Sequence, residues 1–208
     1  MNRLLTETYV VDLLFRVQGK QVPVDHGYAL YSAISRIVET ESDQKWLHEA
    51  DNIGLLPIRG HYAGNGKLLL NQHAQFGLRL PAALISKALH LAGKRLDING
   101  DVLRVGTTLT RALIPATTLY SHTVTTKNGE DEQRFDAEIE RQLAALGIQG
   151  KPQRGPRRIV IIKDKKIAGY SLLVSELTAE ESIRLQENGL GGRRKMGCGV
   201  FVAHKEKA

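Results

Sequence analysis

Histidine is the side chain in this sequence best suited to moving a proton near neutral pH, because the ordinary imidazole pKa is about 6.5. Seven are present. His26 follows Asp25 in VPVDHGY, at the expected start of a helix, where capping and turn chemistry would explain it without a catalytic role. His48 stands in KWLHEADNIG, after a helix and before a glycine-containing turn, an exposed position with Glu49 beside it. His90 is expected on the apolar side of a second helix and His204 in the tail, and both read as structural or incidental. His61, His73 and His122 fall in strands or loops with no partner readable from spacing. On residue types alone, His26 and His48 are the two candidates for general acid–base chemistry.

Anion binding is the second chemistry available. The segment GLGGRRKMGCG at 189–199 sets Arg193, Arg194 and Lys195 in a row among five glycines, including Gly191 and Gly192. Glycine lets backbone amides come close to a phosphate, and fixed cations beside such amides make an anion site. A second basic cluster, KPQRGPRRIVIIKDKK at 151–166, contains Arg157 and Arg158 and reads as a loop entering a strand at its apolar run. A solvated face is the ordinary explanation of basic runs. The glycine setting of 189–199, and the Pro and Gly residues of 151–166, argue instead for built sites.

Other chemistries lack their motifs. Gly192 to Gly197 has P-loop spacing, but Cys198 and Gly199 stand where Lys and Ser or Thr are needed, and no G-x-G-x-x-G follows a strand. No nucleophile elbow or H-E-x-x-H zinc pair occurs, and the single Cys198 reads as a packed residue that cannot make an internal disulfide. The expectation is an intracellular, cytoplasmic protein that needs no metal and no cofactor. No run of about 18 apolar residues suggests a membrane span, and the amino-terminal stretch has no secretory signal.

Composition agrees with a polyanionic partner. Of 208 residues, 42% are hydrophobic and 25% charged, which suits a folded soluble domain or two. The net charge is +7. Residues 1–150 carry 16 basic and 16 acidic side chains, whereas 151–208 carry 13 and 6, so the whole excess lies in the last 58 residues.

The elements that must hold these groups repeat. Residues 8–18 read as a strand, 26–38 as a helix capped by Asp25, 53–62 and 66–71 as a hairpin about Gly64-Asn65-Gly66, and 76–80 as further strand. Pro81 to Gly93 is punctuated as a second helix, and 94–105 as a hairpin about Asn99-Gly100. The same order follows: a strand at 117–126, a helix at 130–146 with Phe135, Ile139, Leu143 and Leu146 on one face, and strands at 158–163 and 166–174 about Asp164-Lys165. A helix at 178–187 then opens with a Thr178–Glu181 capping box, and a last strand spans 198–204. Two βαββαβ units result, an α+β tandem of ferredoxin-like domains dividing into 1–115 and 116–208, with a C-terminal glycine-rich loop. A groove between two such sheets suits a nucleic acid.

GLGGRRKMGCGVF resembles the carboxy-terminal glycine-rich loop of the CRISPR-associated endoribonucleases that cut precursor CRISPR RNA at its repeats, members of the superfamily of repeat-associated mysterious proteins. VPVDHGYALYSAIS followed by WLHEADNIGLLPIRG is similar to that family's first helix and catalytic-histidine region, and the likeness spans nearly the whole chain. The wording is nearest the small variant found with Myxococcus-type CRISPR systems. The resemblance implies a metal-independent endoribonuclease in which His48 is the general acid or base and Tyr31 assists, with His26 as the competing assignment. Arg193, Arg194 and Lys195 would contact the RNA backbone. Some members carry a lysine soon after the histidine, but Ala50, Asp51 and Asn52 occupy those positions here. CRISPR repeat RNA is the implied partner, together with other subunits of a CRISPR effector complex. A noncatalytic subunit gripping an RNA stem-loop is the rival expectation, and a ribosomal or tRNA-associated adaptor a third.

Overall fold

The apolar run of VVDLLFRVQ makes β1 (Val10–Gln18) a strand buried on both faces at its centre, with Leu13, Leu14 and Phe15 all buried. A computed structural model describes residues 9–42 and 46–204 and places β1 in the middle of an antiparallel sheet. After β1 come β2 (Gln21–Pro23), α1 (Gly27–Ser42), the short helix α2 (Trp46–Glu49), β3 (Gly54–Leu56), β4 (His61–Tyr62), β5 (Lys67–Leu69) and β6 (Gln75–Pro81). A helical stretch containing α3 (Ile85–Ala88), then β7 (Arg95–Ile98) and β8 (Asp101–Ala112), complete the first unit. Its main sheet runs β3-β6-β1-β8-β7, and β2, β5 and β4 form a separate three-stranded sheet. Phe15 pairs with Phe76 across β1 and β6, and their rings stack at 4.9 Å. Helix α1 covers this sheet with Leu30, Ile34 and Val38, spaced four apart so that they form one apolar stripe.

The second unit holds β9 (Leu119–Val124), α4 (Glu132–Ala145), β10 (Lys151–Ile162), β11 (Lys165–Ser175), α5 (Ala179–Asn188) and β12 (Val202–Ala203), with sheet order β10-β11-β9-β12. Phe135, Ile139 and Leu143 of α4 pack on the sheet. Thr178 and Glu181 close a reciprocal capping box on α5. Both units show the ferredoxin-like strand–helix–strand–strand–helix–strand order, so the architecture is the α+β tandem.

A buried ion pair joins the two units. Asp12 and Arg79 face one another across β1 and β6, at 2% and 1% exposure. The Arg79 Nε and Nη2 donate to the two Asp12 oxygens at 2.7 and 3.1 Å, while Nη1 donates to the carbonyls of Gln186 and Phe201, at 3.1 and 2.6 Å. One guanidinium thus neutralises the first unit's buried carboxylate and satisfies two acceptors of the second.

Several local expectations are corrected. Asp25 does not cap α1: its Oδ2 accepts the Ile161 N–H at 2.5 Å, reaching the second unit. Residues 151–157 are strand, not loop. Pro152 and Pro156 are tolerated because β10 is an edge strand, and the register breaks between Arg154 and Arg157. The β10–β11 turn is Lys163-Asp164, both at positive φ, one residue earlier than expected. Pro81 ends β6 in extended geometry, and the helix after it alternates between 3-10 and α turns. The final strand is only Val202–Ala203, because the backbone from Cys198 to Gly199 serves the glycine-rich loop, Gly199 N–H donating to Thr123 O at 2.7 Å.

Candidate active site

Helix α2 is four residues long and cannot persist on propensity alone. Trp46 and Leu47, at 4% and 1% exposure, anchor it in the core and leave His48 facing solvent. One turn apart on α1, Tyr31 and Ser35 point at the same ring. The Tyr31 hydroxyl lies 2.6 Å from His48 Nδ1, and the Ser35 Oγ lies 2.9 Å from Nε2. The Tyr31 and His48 rings meet edge to face at 88° with centroids 5.6 Å apart. The family resemblance implies one site for Tyr31 and His48, and the fold sets the two side chains side by side; Ser35 carries no sequence signal, since serine on a helix has many uses and only the fold brings it to the imidazole.

Beside this pair opens a cleft of about 270 Å³. Tyr31, Asp51 and Ile53 come from the first unit, and the loop residues Gly191, Arg193, Arg194, Lys195 and Met196 from the second. The loop approaches the start of α1 so closely that a side chain on Gly27 would lie 2.2 Å from the Met196 carbonyl oxygen.

The three loop cations differ in their commitments. Arg193 is exposed, adopts a left-handed φ of 65°, and donates through Nη1 to Thr125 Oγ1 at 3.3 Å. The Lys195 ammonium donates to the His48 carbonyl oxygen. Its desolvation outweighs the pull of Asp51 and lowers its pKa. Arg194 turns inward instead. Its Nη2 donates to Glu187 O at 2.6 Å at the end of α5, and burial, then the nearby Arg79 charge, lowers its pKa to about 10. All three cations line the cleft, but Arg194 is tied to the end of α5, which leaves Arg193 and Lys195 as the two assigned to a ligand there.

The glycines also serve a different end from the one expected. Gly191 N–H donates to Gln142 Oε1 at 2.7 Å and Gly192 N–H to Thr125 O at 2.9 Å, so neither amide is offered to a ligand. Gly191 sits at φ 72°, and a Cβ there would meet Thr125 O at 2.4 Å. Close backbone packing inside the protein, not approach of a phosphate, demands that glycine. Cys198 is buried beside it, and burial pushes its thiol up to about 11.

His26 stands apart from these groups, 2% exposed beneath α1. Nδ1 donates to Pro23 O at 2.8 Å, with Val24 O also within 3.2 Å, and Nε2 accepts the Ile58 N–H at 3.0 Å. Burial lowers its pKa, against the raising effect of the two carbonyls and Asp25. Arg157, exposed on β10, pairs with Glu130, and Arg158 keeps a buried Nε with no hydrogen-bond partner. His90 is exposed, contrary to the expected apolar side, because the broken helical geometry rotates it outward. Among the described residues, no group of three or more His, Cys, Asp and Glu side chains is placed to hold a metal, and no helix is long and apolar enough to cross a membrane.

A family model described as Cas6 Crispr matches residues 11–206. The chain belongs to the Cas6 CRISPR family. A Cas6-family relative, the CRISPR-associated endonuclease Cas6 of Myxococcus xanthus strain DK1622, is 42% identical over 192 residues, covering 92% of this chain and 80% of the relative. Among solved structures, a CRISPR-associated Cas6 protein superposes with a TM-score of 0.69 at 11% identity, covering 94% of this chain and all of that one. A Cas6-related protein from Pyrococcus furiosus gives 0.66 at 15% identity, covering 95% of this chain and 100% of that one. A repeat-associated mysterious protein described as binding different RNA substrates gives 0.69 at 14% identity, with 94% and 100% covered. At identities this low, the superpositions show shared architecture alone.

Proposed function

We propose that this Cas6-family endonuclease cuts precursor CRISPR RNA within its repeats, without a metal ion, to give mature guide RNAs. The 2′-hydroxyl oxygen beside the scissile phosphate attacks phosphorus, and the bond to the next nucleotide's 5′-oxygen breaks. The products are a 2′,3′-cyclic phosphate and a 5′-hydroxyl. One proton must leave the 2′-oxygen and one must reach the 5′-oxygen. An imidazole suits either transfer. His48 is assigned that role, Tyr31 orients the ring and the reacting groups, and Arg193 and Lys195 offset charge on the phosphorane.

The observation that carries this proposal is the exposed His48, paired with Tyr31, at a cleft whose other wall bears Arg193 and Lys195. His26 is assigned a structural role, supported by its burial and by ring nitrogens bonded to main-chain groups, whereas the ring of exposed His48 meets side-chain hydroxyls. Arg157 and Arg158 extend the basic surface along β10, where they would meet the RNA backbone. We place the division between the two domains at 115 and 116, between the two core clusters. The reaction would take place in the cytoplasm.

Incubation of the purified protein with its cognate repeat RNA in EDTA tests this directly. Cleavage at one position should persist, and a 2′-deoxy nucleotide immediately upstream of the cut should abolish it while leaving binding intact. Loss of cutting in EDTA, or normal cutting of the deoxy RNA, would overturn the mechanism.

A further inference from the structure

The His48 imidazole is gripped at both nitrogens by hydroxyls from successive turns of one helix, Tyr31 at Nδ1 and Ser35 at Nε2. The two grips are not equivalent. Tyr31 lines the cleft, whereas Ser35 does not and is only 6% exposed, on the core side of α1. We propose that Ser35 is a positioning residue that holds the His48 Nε2–H, so that Nδ1, the nitrogen facing the cleft-lining Tyr31, is the one that exchanges protons with RNA. This inference rests on the assignment of His48 as the acid–base group.

Hydrogen-bond accounting favours the arrangement. A neutral imidazole has one N–H and one lone pair, and the bond made by one nitrogen fixes the state of the other. With Nε2–H donating to Ser35 Oγ, the Nδ1 lone pair accepts the Tyr31 hydroxyl proton, the donor having the more acidic hydrogen and the shorter contact, 2.6 Å against 2.9 Å. When the 2′-hydroxyl displaces the Tyr31 hydroxyl from Nδ1 and gives that nitrogen its proton, the imidazolium still has an acceptor for its second N–H in Ser35. The ring therefore need not turn between the neutral and charged states. Losing Ser35 Oγ removes that tether and lets the ring adopt the opposite tautomer, with its proton on the nitrogen that must accept one.

Two measurements on the full chain test this. Long-range proton–nitrogen correlation spectra of the free protein report the His48 tautomer independently of activity. The expected result is a protonated Nε2 in the native protein and a mixed or inverted tautomer in Ser35→Ala. Single-turnover cleavage by Ser35→Ala should fall about 10- to 100-fold, by analogy with the loss of an orienting partner behind a metal-bound histidine, with RNA affinity unchanged. Ser35→Thr, which keeps an oxygen at the same position, should recover most of the rate. A native Nδ1–H tautomer, or a Ser35→Ala protein with unaltered tautomer and rate, would overturn the inference. If His48→Ala cleaves normally, the acid–base assignment itself fails, whatever the tautomer, so the two failures are distinguishable. Should Ser35→Thr overpack its buried site, the tautomer of Ser35→Ala still decides.

Discussion

The Lys195 ammonium donates a hydrogen bond to the main-chain carbonyl of His48, tying the glycine-rich loop of the second unit to the histidine helix of the first. The contact spans 147 positions of sequence and places a cation at the histidine helix, although no lysine follows His48 closely in the chain. Lys195 also lines the cleft, where its charge lies near any phosphate presented to Tyr31 and His48. The candidate site is thus assembled across the junction of the two units, and its integrity depends on how they are held together.

The three loop cations should separate by phenotype. Arg193→Ala and Lys195→Ala should each weaken repeat RNA binding and flatten the log–log salt dependence by roughly 0.7 to 0.9 for each phosphate no longer neutralised. Arg194→Ala should leave that slope unchanged and lower the urea midpoint instead, because its guanidinium serves the end of α5. Filter binding across several salt concentrations, set beside urea unfolding, checks both halves. A solvated loop would give equal slopes in all three variants.

Arg79→Leu should destabilise the fold by about 3–5 kcal/mol, since it leaves the Asp12 carboxylate buried without its principal counter-ion. Asp12→Leu combined with Arg79→Leu should be less destabilised than Arg79→Leu alone, because the uncompensated charge is then gone. Exposed Arg111, which also reaches Asp12 at 3.1 Å, can turn to solvent. Equal losses in the single and double variants would show that the carbonyl contacts to Gln186 and Phe201 dominate over the ion pair.

Gly191→Ala should lower stability by about 1–3 kcal/mol, the cost of a strained left-handed residue, with a clash against Thr125 O added. Gly192→Ala should cost far less, as no atom lies near its missing side chain. Thermal unfolding of the pair measures the difference; equal effects would mean that the loop rearranges freely.

Much of this architecture was legible because its signals are local. The Asn99-Gly100 turn, the Thr178–Glu181 box and the Phe135-Ile139-Leu143 stripe each depend on residues a few positions apart. Where the determinant was a neighbouring strand, local reading failed. Pro152 and Pro156 read as loop until β10 is known to be an edge, and the run after Cys198 reads as strand until its backbone is seen bonded to the glycine loop. The site divided the same way. Resemblance brought Tyr31 and His48 together correctly as neighbours, but the inward turn of Arg194, the engaged amides of Gly191 and Gly192, and the contribution of Ser35 are properties of packing.

Stability should depend on pH through His26. Its pKa is lowered in the folded protein, so below the unfolded value of about 6.5 the unfolded chain binds more protons. The stabilisation is complete above that value and is lost as pH falls through the folded pKa. The urea midpoint should therefore drop between pH 7.5 and 5.5, and the part of that drop due to His26 should vanish in His26→Gln. An unchanged pH dependence in the variant would show that His26 does not titrate with unfolding.

Single-turnover cleavage of repeat RNA by His48→Ala, measured beside RNA affinity, bears most directly on the assignment of the chemistry to His48. The rate should fall by about 10² to 10⁴, the scale of a general acid or base, with affinity little changed. A folded His48→Ala protein that cuts at the native rate would contradict it.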